Sequence, residues 1–249
     1  MPKRFVVTAS DFTDVPRLSA DAELAEALTA AARKLHDTVT PHGTLRTAVQ
    51  LAVDLLPGAE LAGISVIDRG SRRETLAWTD EVVRSAETDP RAGGRESHPL
   101  WDRLWTVPVA KLEDSIAEND GPLSELGLRS ALSLRLRADR RRLTVLTAYA
   151  RKPRAFDEDA TRVGRLLTAH VSMALDSATV REQLTEAMRT RDLIGQATGI
   201  LMERLDMDAA GAFESLVKAS QRENVKLRDL ARRIVGTHDA PQGRGVNER

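Results

Sequence analysis

The chain of 249 residues sets 37 Lys and Arg against 37 Asp and Glu, has no cysteine, and is only 3% aromatic. Its length suits two compact units at roughly 150 residues per domain. The zero net charge excludes long-range attraction as the main route to a polyanion, so any such site must be a local patch, and the lack of cysteine excludes disulfides, thiolate metal sites and cysteine nucleophiles.

No apolar run approaches the roughly 20 residues of a membrane span, and the Phe5-Val6-Val7 stretch is too short for a signal peptide. A cytoplasmic protein is expected, in keeping with the absent cysteines. Residues 1–20 show no sustained period and read as a loosely held arm. From Asp21 the pattern is helical, with Leu24, Leu28, Ala31 and Leu35 on one stripe. Leu45, Val49, Ala52 and Leu56 form a second stripe, stopped by Pro57-Gly58.

Leu61 to Ile67 then reads as a strand, Asp68-Arg69-Gly70 as a turn, and Glu74 to Thr79 as the hairpin partner. A helical piece over Asp80 to Thr88, a Gly93-Gly94 loop, a helical turn at Leu100 to Leu104 and a short strand over Thr106 to Val109 are expected next. Ser130 to Ala138 and Leu143 to Ala150 are the strongest strand pair. Leu132, Leu134 and Leu136 mark a buried face, while Ala131, Ser133, Arg135 and Arg137 mark a wet one. The order predicts an α+β fold over 21–177, an antiparallel sheet with flanking helices.

Nine of the ten prolines lie at or before Pro153, which frees 154–240 to be helical. One helix is expected over 157–205, capped by Asp157 and about 70 Å long. Its seam runs Val163, Leu166, His170, Met173, Ser177, Val180, Leu184, Ala187, Arg191 and Ile194 at coiled-coil steps, predicting a homodimer with Val180, Leu184, Ala187 and Ile194 in the seam. The alternative is a break near 176–178, with the two pieces packing within one chain. Two further helices complete a three-helix bundle over 181–237. Ala212, Phe213, Leu216 and Ala219 face inward from one, and Leu227, Leu230, Ala231 and Ile234 from the other, which stops at Gly236. Residues 238–249 read as a disordered tail.

The five histidines fall in five elements without the compact spacing of a metal site, and no nucleophile elbow, phosphate loop or dinucleotide fingerprint occurs. No catalysis, metal or bound cofactor is therefore expected. Gly195 and Gly199 suggest close helix packing. Trp78, Trp101 and Trp105 either line a small-molecule pocket or fill a core otherwise poor in aromatics. The arginines around 135–154 read as a solvated sheet face or an anion contact. Between Lys218 and Arg233, Lys218, Arg222, Lys226, Arg228, Arg232 and Arg233 outnumber Glu223 and Asp229, with Gln221 and Asn224 interleaved. Such a patch suits phosphates and base edges, or simply a solvated helix face. With Phe213 placed in the core, stacking on unpaired bases is not expected.

The run Arg191-Asp192-Leu193-Ile194-Gly195-Gln196-Ala197-Thr198-Gly199-Ile200-Leu201-Met202-Glu203-Arg204, with Ala212-Phe213, Leu216, Ala219-Ser220 and Asn224 to Ala231, resembles the ANTAR domain of transcription antitermination regulators. The resemblance implies a three-helix RNA-binding unit that recognises paired stem-loops with hexanucleotide loops and prevents a terminator hairpin. It places RNA contacts on Arg191, Gln196, Ala197, Thr198 and Gly199 and on the basic side of the last two helices. The family often has Lys where this chain has Thr198, so a phosphate contact there is missing or replaced by a hydroxyl hydrogen bond.

Gly127 to Leu136 and Tyr149 to Asp159 resemble a GAF sensory domain over about 21–177. That implies sensing of a small molecule or other signal, or dimerisation alone, and without cysteine any ligand is held noncovalently. The expectation is a bacterial regulator with a GAF-like sensor, a dimeric long helix and an RNA-binding ANTAR-like unit. The competing expectation is a helical protein-interaction or DNA-binding regulator without RNA recognition.

Overall fold

The computed structural model describes residues 22–69, 73–88 and 99–239. The expected N-terminal arm, the Gly93-Gly94 loop and most of the C-terminal tail lie outside them. The chain divides between Ala178 and Thr179 into two compact units.

The first unit contains α1 (Ala22–His36), α2 (Pro41–Leu55), β1 (Leu61–Asp68), β2 (Arg73–Trp78), α3 (Glu81–Thr88), α4 (Pro99–Arg103), β3 (Val109–Leu112), α5 (Gly121–Glu125), β4 (Ser130–Ala138), β5 (Arg142–Ala150) and the start of α6 (Glu158–Leu205). The sheet order is β2-β1-β5-β4-β3, with every pair antiparallel. Local chemistry starts the helices: Thr40 Oγ1 accepts from Gly43 N, with Pro41 in the first turn of α2. Asp157 Oδ1 accepts from Ala160 N at 2.8 Å, the expected cap of α6.

Both faces of the sheet are buried, which corrects the expectation of one wet face. On the first face, Ile64, Leu132, Leu134 and Leu146 pack against Leu35 of α1, Val49 of α2 and Val163, Leu167 and Val171 of α6. Gly164 permits this approach, since a Cβ there would lie 2.6 Å from Leu134 Cδ1. The second face is covered by Val83 and Ala86 of α3, Leu100 and Trp101 of α4, and Leu123 of α5, packed on Ala131, Leu143, Val145 and Tyr149. Alternation places Ser133 in solvent, yet it is buried opposite Thr147, their hydroxyls 2.9 Å apart. Each hydroxyl supplies the other's hydrogen-bond partner, which removes the main cost of burying it. The expected strand at 106–109 instead runs Val109–Leu112 as β3.

The second unit comprises the end of α6, α7 (Ala209–Glu223) and α8 (Leu227–Asp239). Ala197 of α6, Leu216 of α7, and Leu230 and Ala231 of α8 form its core, with Leu193, Ile194, Leu201, Ala219 and Ile234 packed around them. Asp208 caps α7 by accepting from Gly211 N at 2.8 Å. Asn224 ends α7 in the left-handed conformation at φ 53°, and Val225 N donates back to Ser220 O at 3.1 Å. Helix α8 continues past Gly236 to Asp239.

Helix α6 is a single helix of 48 residues, as expected, and the alternative of a break near 176–178 does not occur. The ends of its proposed seam differ from expectation. Val163 is built into the core of the first unit and Ile194 into that of the second, whereas Leu166, Met173, Val180, Leu184 and Met188 are exposed.

Candidate nucleic-acid interface and sensor core

In the second unit, the proposed RNA contacts separate by burial. Ala197 is fully buried in the three-helix core, so its side chain serves packing and cannot reach a ligand. Arg191, Gln196 and Gly199 are exposed, and Thr198 is half-buried with its hydroxyl donating to Ile194 O at 2.8 Å. A Cβ at Gly195 or Gly199 would meet nothing. The two glycines therefore leave a smooth open track along α6 instead of the expected close helix packing.

The basic residues are partly neutralised. Lys218 pairs with Glu214 at 2.7 Å, Arg228 lies 3.8 Å from Glu186, Arg232 pairs with Asp229 at 3.2 Å, and Arg233 pairs with Glu223. These are surface pairs of small individual worth, but they narrow the set of cations free for a phosphate. Arg191, Arg222 and Lys226 are exposed and carry no ion pair among the described residues, and Gln221 and Asn224 are exposed beside them. The Arg228–Glu186 pair holds the start of α8 beside the α6 turn that precedes Arg191. Glu186 and Arg191 are five positions apart, about 7.5 Å along the helix. Five positions also turn about 140° around the axis, so Arg191 stands on a different face of α6 from Glu186.

Phe213, expected in the core, is 46% exposed. Helical geometry explains the difference: Ala212, Leu216 and Ala219 form the inward stripe, and Phe213 lies about 100° around the helix from Ala212. An aromatic face is therefore available on α7 after all. Adjacency to a core residue in sequence was the misleading signal.

In the first unit, the three tryptophans do not form one wall. Trp101 is buried in the second core with the Arg73 guanidinium 4.9 Å from its ring centre. Trp105 carries Arg69 at 5.0 Å. Trp78 lies at the surface, donating from Nε1 to Glu81 Oε1 at 3.1 Å and covered by Arg84 at 5.4 Å. Each ring has one face occupied by a cation, a favourable quadrupole contact.

The chemically distinctive group of the first unit is Glu87 on α3, which sequence reasoning missed. It is fully buried. Ser65 Oγ lies 2.5 Å from its Oε2, Tyr149 Oη donates to its Oε1 at 3.1 Å, and Ser65 Oγ is 3.0 Å from Thr75 Oγ1. Burial pushes the Glu87 carboxyl up to about 7, against the lowering influence of these hydroxyls and of Arg73. The same burial, with Glu87 beside it, pushes the Tyr149 hydroxyl well above its ordinary value. Desolvation lowers Arg73, opposed by Asp102, Tyr149 and Glu87. Gly63 makes room for the carboxylate, since a Cβ there would lie 2.5 Å from Glu87 Oε1. The only sequence signal was an acidic residue on the inward stripe with Val83 and Ala86.

A sheet covered on both faces, followed by a three-helix unit entered through one continuous helix, makes a protein of two compact units. The chain belongs to the GAF domain family, which it matches over residues 38–176, and it carries an ANTAR domain over residues 182–235. Both are regulatory kinds of domain. No curated protein matches the chain.

Among solved structures, bacteriophytochrome RpBphP3 of R. palustris is similar at 12% identity and a TM-score of 0.56, covering 76% of this chain and 43% of that one. The photosensory core module of the Stigmatella aurantiaca phytochrome is similar at 13% identity and a TM-score of 0.54, covering 82% and 45%. This chain spans less than half of either. The GAF domain of an Acinetobacter phosphoenolpyruvate-protein phosphotransferase gives 17% identity and a TM-score of 0.47, covering 64% and 96%. At 12% and 13% identity, the likeness to the two phytochrome structures is one of fold. No helix among the described residues is long and apolar enough to cross a membrane.

Proposed function

We propose that this protein is an RNA-binding transcription antitermination regulator. In this reading the GAF domain senses a small molecule or other signal, the long helix pairs two chains, and the ANTAR domain binds paired hexaloop stem-loops and keeps a terminator from forming. The observation that carries it is the exposed cluster Gln221, Arg222, Asn224 and Lys226 at the α7–α8 turn of the ANTAR bundle, with Arg191 exposed on α6. There, cations without carboxylate partners among the described residues stand beside amides able to read base edges. Lys218 and Arg228 join once RNA phosphate displaces their surface carboxylates, and Gln196, Thr198 and Gly199 supply the α6 side of the interface. The exposed stripe Val180, Leu184 and Met188, with Ala187 beside it, supports the homodimer. Ile194 contributes to the bundle core in place of the seam.

The test is binding of the full chain to a tandem hexaloop stem-loop RNA and to duplex DNA across a salt series. The RNA is expected to bind more tightly, and Arg222→Ala with Lys226→Ala to reduce the salt slope by about 1 for each phosphate no longer neutralised. Equal affinity for RNA and DNA would sink the reading. Sedimentation is expected to show a dimer, abolished in Leu184→Glu/Met188→Glu.

A second reading, a helical protein-interaction regulator, is favoured by the exposure of Met202, Leu205 and Phe213 on the same domain. Phe213→Ala separates the two. Loss of RNA affinity would assign the ring to base stacking, worth about 1–3 kcal/mol, and unchanged RNA affinity would leave it to a protein partner.

A further inference from the structure

The antiparallel register of β1 with both β2 and β5 brings the end of β1, the start of β2 and the β4–β5 tip to the same end of the sheet: Ile67 pairs with Arg73, and Asp68 with Arg142. Arg69, the first residue beyond β1, donates its backbone N–H to Arg141 O at 2.9 Å. Between the end of β1 and the β4–β5 tip lies an open cavity of about 790 Å³ lined by Asp68, Arg69, Asp139, Arg140, Arg141 and Arg142. That volume falls in the range of about 300–1,000 Å³ usual for small-molecule sites.

The two carboxylates are engaged elsewhere. Asp139 Oδ1 accepts the backbone N–H groups of Arg141 and Arg142 at 2.7 and 2.8 Å and so shapes the turn. Asp68 Oδ1 accepts from Arg142 Nε at 3.0 Å. Arg69, Arg140 and Arg141 are left without a carboxylate partner among the described residues. The Arg69 guanidinium is held in place over Trp105, 5.0 Å from the ring centre. A planar guanidinium offers paired N–H donors that match phosphate oxygens, and one already oriented loses less freedom on binding.

Three arginines without carboxylate partners among the described residues line this one ligand-sized cavity. We propose that this end of the GAF sheet is a binding site for a polyphosphate-bearing small molecule, of the nucleoside di- or triphosphate class. Arg140 and Arg141 clasp the phosphates from the β4–β5 tip, and Arg69 holds them from the β1 side. The site belongs to the first unit and does not depend on the RNA reading.

The probe is inorganic pyrophosphate, titrated calorimetrically into the full chain at low salt, with a nucleoside triphosphate and a single-stranded RNA in parallel. Saturable one-to-one binding of pyrophosphate is expected, tighter for the nucleoside triphosphate and weakened by added salt. Tryptophan fluorescence is expected to change on binding, and that change to disappear in Trp105→Phe. Arg140→Ala/Arg141→Ala is expected to weaken binding by about 10-fold or more without changing the thermal melt, because both side chains are exposed. Arg140→Lys/Arg141→Lys, which keeps charge but loses the fork, is expected to fall between. Absence of saturable pyrophosphate binding, a dissociation constant unchanged in the double alanine variant, or binding of RNA alone would each overturn the proposal.

Discussion

Replacing Glu87 by Gln is expected to remove a specific pH dependence from the stability of the GAF unit. In the folded protein the carboxyl keeps its proton up to about pH 7, whereas the ordinary value is 4.5. Below pH 4.5 both states are protonated, and burial of the neutral acid costs little. Between 4.5 and 7 the unfolded chain binds fewer protons than the folded one, so stability falls as pH rises, and it levels off above 7. The whole interval corresponds to about 3 kcal/mol. Ser65, Thr75 and Tyr149 lie against the carboxylate, and Arg73 is the charged group acting on it. Glutamine has the same shape, keeps an acceptor for Tyr149 and does not titrate. The assay is urea unfolding followed by tryptophan fluorescence, which reports the GAF unit alone because all three tryptophans lie in it. Wild type and Glu87→Gln are expected to be similar near pH 4, and the variant to be more stable at pH 8 by up to about 3 kcal/mol. Equal stabilities at pH 8, or a slope between about pH 5 and 7 that persists in the variant, would refute the reasoning.

Gly63→Ala is expected to destabilise the same unit by about 1–3 kcal/mol, because its Cβ would overlap Glu87 Oε1 and Val83 Cγ1; the same urea titration measures this. Leu216→Ala removes a side chain buried at the centre of the ANTAR bundle. A loss of about 2–5 kcal/mol is expected there, seen as lower helicity by circular dichroism with the tryptophan-detected transition unmoved. Asn224→Gly should be close to neutral in thermal melting, whereas Asn224→Val should cost about 1–2 kcal/mol at the left-handed position that ends α7.

Period and capping chemistry were legible because they depend on near neighbours. The inward stripes of α1 and α2, the Asp157 cap, the β4–β5 hairpin and the turn at Asn224 follow from residues within a few positions of one another. The GAF and ANTAR signatures were legible for a related reason, since each concentrates distinctive residues in short runs. Alternation along β4 was less informative. It separated two faces correctly but assigned one to solvent, because the helices covering that face come from distant sequence and the Ser133–Thr147 pair satisfies its polar groups. Burial of Ala197 and exposure of Phe213 follow from a rotation of about 100° per residue about each helix axis, a distinction that neighbouring letters do not make.

By itself the sequence determined the class of each unit, the proline-free stretch that permits a continuous α6, and the absence of thiol chemistry. Tertiary structure alone decided which charges are free. Whether Lys218, Arg228 or Arg233 meets a carboxylate, whether Glu87 is sealed among hydroxyls, and whether Arg69 joins Arg140 and Arg141 depend on which segments the packing brings together. Electrostatic energy depends on distance and on exclusion of water, and for residues far apart along the chain both are set only when the fold closes.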